Sequence, residues 1–131
     1  MIGRFSRLGD YGAIWYAIGA AGAVVDEARR PLWLRAVARV AIAFGVNQVV
    51  KVLVGRPRPD DKRAPTVSNL SFPSAHTTTS FCGARMYARL GLGWVGPYSL
   101  AFALAASRLV LRVHHPSDVV AGVALGTVLA R

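Results

Sequence analysis

Residues Leu32 to Pro59 read LWLRAVARVAIAFGVNQVVKVLVGRPRP, and this stretch decides the fold. From about Leu32 to Val54 it is apolar apart from a few polar positions near its two ends, which predicts a membrane helix. Arg35 and Arg39 lie four apart on one face near the start, where long side chains snorkel toward headgroups. Asn47, Gln48 and Lys51 come near the end, and polar groups at that depth face the interior of a bundle. Gly55 and the run Arg56-Pro57-Arg58-Pro59 then stop the helix, because glycine accepts a left-handed cap and proline cannot continue the ladder.

The composition agrees. At 131 residues the chain is a single domain, 1–131, on length. Its net charge of +10 and pI near 11.3 invite a nucleic-acid partner, but 53% of residues are hydrophobic and the mean hydropathy is +0.39. That is too apolar for an ordinary soluble basic domain, and there is neither a run of five basic residues nor an RNA-binding aromatic motif. Nucleic acid is therefore not expected as a partner. Arginines in so apolar a chain belong at membrane interfaces or around a polar site. Cys82 is the single cysteine and reads as a small buried helix residue. The preference for Arg over Lys and the abundance of Ala fit a bacterial coding bias, hence a bacterial cell membrane.

On either side of this helix the chain predicts four more. Tyr11 to Val25 is uncharged and rich in Ala and Gly, suited to close helix packing, with Trp15 and Tyr16 as interfacial anchors. It follows Arg4 and Arg7 but leads into Asp26-Glu27 without a cleavage pattern, so it reads as a retained helix. Gly55 to Phe72 is a polar loop, long enough to suggest a functional one. A third helix begins at Pro73-Ser74 and runs to about Leu90, a fourth extends from about Trp94 to Val113, and a fifth takes residues 117–130. The expected fold is an all-α polytopic membrane bundle of about five helices. The short outer helices imply local bilayer thinning or contact with another subunit, compatible with a homo-oligomer.

Short connections make neighbouring helices antiparallel. That brings three polar stretches to one membrane face: Lys51 to Pro59, Phe72 to His76, and Ser107 to Asp118. They contain all three histidines of the chain. Two imidazoles and several cations are what phosphoester hydrolysis without a metal requires. Lys51 and Arg58 could be a last-turn lysine and a solvated loop charge, or a point charge and a fork for phosphoryl oxygens. Ser74 is an ordinary N-cap residue, and a helix start there also presents the Ala75 amide to an anion. His76 faces the same place. Asp118 suits the first turn of a helix; four residues after His114, it can also hold that ring's Nδ1 proton. Arg108 reaches the same phosphate, and His115 is a second nucleophile on chemistry alone. Arg56, Lys62, Arg63 and Arg112 read as electrostatic steering or headgroup contacts.

These stretches resemble the three-part signature of the type 2 phosphatidic acid phosphatases (PAP2), which share a core with vanadium haloperoxidases. Lys51, six residues, Arg58-Pro59 matches the first part. Pro73-Ser74-Ala75-His76 matches the second with Ala in place of Gly. Ser107-Arg108, five residues, His114, three residues, Asp118 matches the third. The resemblance implies that His114 is the nucleophile and forms a phosphohistidine, that Asp118 orients it, and that His76 protonates the leaving group. Lys51, Arg58, Arg108, Ser74 and the backbone at Ala75 would hold the phosphate, with no metal or other cofactor. Ala75 would be strained if the position needs a positive φ. Five helices, against the six common in membrane members, read as a minimal form lacking the first.

The expectation is an integral membrane lipid-phosphate phosphatase acting on a prenyl or glycerolipid phosphate or diphosphate. Two other readings use the same residues: a non-catalytic lipid-phosphate-binding membrane protein, and a vanadate-dependent haloperoxidase. Basic residues occur at both ends of the bundle, with Arg29, Arg30, Arg89 and Arg131 opposite Arg4, Arg7, Lys62 and Arg63, so charge assigns neither end to the cytoplasm.

Overall fold

In the computed structural model, which describes residues 1–131, the helix with the most polar start lies at the middle of the bundle. The elements are α1 (Ile2–Arg7), α2 (Ala13–Val25), α3 (Arg30–Val54), α4 (Ala75–Tyr87), α5 (Val95–Val110) and α6 (Pro116–Leu129). There are no strands; the loop before α4 is closed by one antiparallel bridge, Pro57 to Leu70. The all-α bundle expected from the sequence is what forms. Its five longer helices are joined by the short α1, too brief to cross a bilayer.

α4 packs against α3, α5 and α6. Thr77, Thr78, Thr79 and Ser80 are all buried on it, and each finds a hydrogen bond. Thr78 and Thr79 donate back to the carbonyls of Ser74 and Ala75, Thr77 donates to Ser74 Oγ, and Ser80 accepts from Trp15 Nε1 at 3.0 Å. A helix start this polar can be enclosed because no hydroxyl is left unpaired. α6 lies unusually close to it. A Cβ on Gly122 would stand 2.9 Å from the Ser74 carbonyl oxygen, and one on Gly126 only 2.3 Å from that of Thr78.

Around this centre the exterior is apolar. The run Glu27–Val54 is long and apolar enough to cross a membrane, and only 22% of its most apolar window is buried within the chain. Val49, Val52 and Leu53 on α3, Phe102 and Val110 on α5, and Val120 and Val128 on α6 all face outward. The membrane bundle read from the sequence accounts for this surface.

Three local expectations are corrected. Trp15 is not an interfacial anchor: it is fully buried, with Tyr87 donating to its carbonyl at 2.7 Å. α5 ends at Val110 rather than near Val113, because Arg112 takes a left-handed conformation (φ 52°) and the Val113 amide turns back to the Arg108 carbonyl. Ser74 occupies the N-cap position of α4 without a side-chain cap, its hydroxyl being taken by Thr77.

Candidate functional site

The C-terminal end of α3, the starts of α4 and α6, and the last turn of α5 meet at one end of the bundle. Backbone bonds fasten them there. The Ser74 amide donates to the Asp118 carbonyl at 3.0 Å, tying the first turns of α4 and α6. Lys51, almost fully buried in the last turn of α3, donates to the carbonyls of Pro73 (2.8 Å) and Ser71 (3.4 Å), tying α3 to the approach of α4. A lysine has three donors, so one remains for another acceptor.

A cavity of about 600 Å³ opens at this junction. Lys51, Arg58, Ala75, His76, Arg108 and His114 all line it. Ser74 and Asp118, fully buried, stand directly behind it. All eight residues singled out in the sequence are thus brought together, although they come from three stretches separated by a long loop. That loop contributes Arg63, Ala64, Pro65, Thr66, Val67 and Ser68 to the wall.

Arg58 is fixed by three contacts. It donates through Nε to the Ser68 carbonyl (2.8 Å), and through Nη1 to the Val113 carbonyl (2.7 Å) and to His114 Nε2 (3.1 Å). A guanidinium only donates, so His114 Nε2 must present its lone pair and Nδ1 must hold the proton. Nδ1 lies 3.5 Å from Asp118 Oδ2, a long contact, and has no other partner. Burial, reinforced by the charges of Arg58, Arg108 and Lys51, pushes the His114 pKa down to about 4 against the opposing pull of Asp118. The imidazole is therefore neutral at pH 7, as a nitrogen nucleophile has to be.

Asp118 does more than face His114. Its Oδ1 accepts from Arg56 Nη1 at 3.0 Å, and its Oδ2 accepts from the His115 amide at 2.8 Å with the His115 ring 3.3 Å away. Arg56, expected as a steering charge, is instead the ion-pair partner of this buried carboxylate. Arg112 pairs with Asp61, away from the cavity wall. His115 lies outside the cavity, its ring against Asp118.

On the far side the cavity is closed by residues the motifs do not contain. α1 and the turn after it contribute Ser6, Arg7, Asp10 and Tyr11. Ser6 Oγ accepts from Arg108 Nη1 at 2.6 Å, leaving Arg108 Nε buried and unpartnered. His76 Nε2 lies 3.0 Å from Asp10 Oδ1 and 3.1 Å from the Ser6 carbonyl oxygen. The bond from His76 holds the Asp10 carboxyl below its usual range. No spacing rule marks Ser6 or Asp10, because their partners lie about seventy and a hundred residues away.

The strain foreseen at Ala75 is absent. Ala75 is the first residue of α4, and the positive-φ residues other than glycine are Tyr11 and Arg112. A methyl group is tolerated there, and the amide remains at the cavity edge.

Comparison with known proteins agrees with this geometry. The family model of the PAP2 superfamily matches residues 32–131. A decaprenylphosphoryl-5-phosphoribose phosphatase of Mycolicibacterium smegmatis is 40% identical over 121 residues, covering 89% of this chain and 67% of that protein. A protein of the same name from Mycobacterium tuberculosis is 39% identical over 125 residues, covering 92% of this chain and 70% of its own. A crystal structure of a transmembrane PAP2-type phosphatidylglycerolphosphate phosphatase from Bacillus subtilis superposes with a TM-score of 0.83 over 98% of this chain and 71% of that one, at 23% identity, which shows a shared fold. The signature residues, their meeting at one cavity and the match over most of the chain's length agree: the chain belongs to the PAP2 superfamily.

Proposed function

We propose that this chain, a membrane phosphatase of the PAP2 superfamily, removes phosphate from a prenyl-linked phosphate in a bacterial cell membrane by way of a phosphohistidine on His114. The observation that carries this is the meeting of Lys51, Arg58, Arg108, His76 and His114 on one cavity at the end of an apolar bundle. Residues 1–131 act as one catalytic domain. The prenyl class is put first because the mycobacterial relatives are named for a decaprenylphosphoryl-phosphoribose substrate. A cavity of about 600 Å³ also has room for more than a bare phosphate, as a phosphorylated sugar headgroup needs.

The geometry supports the following chemistry. Lys51, Arg58 and Arg108, with the Ala75 amide, neutralise and orient the phosphoryl oxygens, while Ser74 holds the start of α4 from behind the cavity wall. Arg58 moves its Nη1 from His114 to the phosphate. The freed Nε2 lone pair attacks phosphorus, forming the P–N bond as the bond to the leaving oxygen breaks. Asp118 stabilises the positive ring by holding Nδ1–H. His76 gives its proton to the leaving oxygen, then takes one from the water that attacks the phosphohistidine. That attack breaks the P–N bond, releases inorganic phosphate and restores neutral His114.

The test is phosphate release in detergent with EDTA present, on a prenyl phosphate, a prenyl diphosphate, phosphatidic acid and phosphatidylglycerophosphate. Wild type is compared with His114→Ala. We expect metal-independent release from prenyl substrates, reduced by roughly 10³-fold or more in the variant. Tight binding without release on every substrate would leave a lipid-phosphate binder instead.

A further inference from the structure

The general acid has an unsolved electrostatic problem. To deliver a proton, His76 must hold one while sharing the cavity with Lys51 from α3, Arg58 and Arg63 from the loop, Arg108 from α5, Arg7 from α1 and His114 from the turn before α6. α2 brings no ionised side chain. Five fixed cations disfavour an imidazolium, and the carboxylate behind His114 is already engaged by Arg56 and His115. Of all the residues lining the cavity, one alone is acidic: Asp10.

Asp10 is placed to answer that need. Its Oδ1 is 3.0 Å from His76 Nε2, and the Ser6 carbonyl accepts at the same nitrogen from 3.1 Å. Gly9 is pressed against the other side of the ring edge, where a Cβ would come within 2.6 Å of His76 Cδ2. Tyr11 and Gly12, both with positive φ (54° and 82°), reverse the chain immediately afterwards and fix Asp10 above the cavity. Arg108 holds Ser6 in turn, so the phosphate side and the acid side share one brace. Nε2 is occupied by these acceptors, while His76 Nδ1 has no protein partner and is not enclosed.

We propose that Asp10 is the positioning residue of the general acid. Reaching in from the segment between α1 and α2, it clamps the His76 ring by Nε2 and supplies the negative charge against which Nδ1 keeps the proton it delivers to the leaving oxygen. The role rests on the phosphatase reading given above. It makes a distinct demand: Asp10 matters in proportion to how much the leaving group needs a proton. A prenyl alkoxide needs one; a nitrophenolate departs without it.

The experiment measures kcat and KM of wild type, Asp10→Asn, Asp10→Glu and His114→Ala in detergent on a prenyl monophosphate and on 4-nitrophenyl phosphate. Asp10→Asn is expected to lower kcat on the prenyl substrate by about 10–100-fold, part of what general acid catalysis supplies. KM and the single-turnover rate of nitrophenolate release, which reads phosphoryl transfer to His114 before the water step, should stay within about threefold. The alkaline limb of kcat on the prenyl substrate should move to lower pH, and Asp10→Glu should recover part of the loss. Equal losses in prenyl kcat and in single-turnover nitrophenolate release would reduce Asp10 to a structural brace, an increase would make it a plug, and no change would make it a bystander; each overturns the role. Wild type without His114-dependent release on either substrate would overturn the phosphatase reading itself, and the role with it.

Discussion

His76 and His114 are both largely buried on one basic cavity and differ in how closely an anion approaches them. His114 is enclosed among three cations with its only nearby anion at 3.5 Å, whereas His76 has a carboxylate at hydrogen-bond distance. That difference in the nearby anion suits the proposed roles, His114 as nucleophile and His76 as acid. One consequence is direct. The His114 ring, resolved by ¹⁵N NMR, should keep the neutral Nδ1–H form from pH 8 down to pH 5, since its pKa lies near 4. Titration near 6.5 would contradict this. The linkage has a matching sign: as pH falls from 6.5 toward 4, the unfolded chain takes up a proton that the folded chain refuses, and stability declines in that window. A second consequence concerns Asp118→Asn, which removes the negative charge and puts an amide NH2 in place of one of the two oxygens that serve Arg56, the His115 amide and His114 Nδ1. It should lower kcat by roughly 10²–10⁴-fold with little change in KM, measured by phosphate release. Six of the eight residues singled out in the sequence, by their chemistry and by the family resemblance, line the cavity and the other two back it. Ser6, Asp10 and the pairing of Arg56 with Asp118 were not legible. Each depends on which loop folds over which helix end, and spacing along the chain does not encode that.

Helix α6 brings His114 and Asp118 to α4 only because Gly122 and Gly126 remove side chains from the contact. Gly126→Val would drive a side chain into the Thr78 carbonyl, whereas a Cβ added at Gly45 on α3 would meet nothing within 4 Å. Gly126→Val should therefore lower stability by about 1–3 kcal/mol or more and take activity with it. Gly45→Ala should be neutral or stabilising by up to about 1 kcal/mol. Thermal unfolding in detergent, followed beside phosphate release, checks both. The longer helices were legible because apolar runs end at glycine and proline, as at Val54-Gly55 and His115-Pro116. Their ends were less so. The left-handed Arg112 stops α5 three residues early, and no glycine or proline marks the place. Trp15 looked like an anchor by residue type and became a core residue because Ser80 and Tyr87 supply the polar partners it needs.

Taken whole, the molecule buries the hydroxyls of α4 at its centre and leaves many valines and leucines on its exterior, around a basic cavity open at one end. That inversion fits a bilayer, and the protein should stay with membranes through alkaline carbonate extraction; release into the supernatant would contradict the membrane reading. In the proposed mechanism the power comes from the His114 nitrogen, held near Asp118 and unmasked when Arg58 turns to the phosphate. The covalent intermediate is the most direct evidence of that. Wild type and His114→Ala should be mixed with a prenyl phosphate labelled at phosphorus, in EDTA, and quenched in alkali within the first turnovers. The expected result is an alkali-stable, acid-labile phosphoryl group on the wild-type protein, mapped to His114 and absent from the variant. Turnover with no label on the protein, or label retained in His114→Ala, would contradict the mechanism.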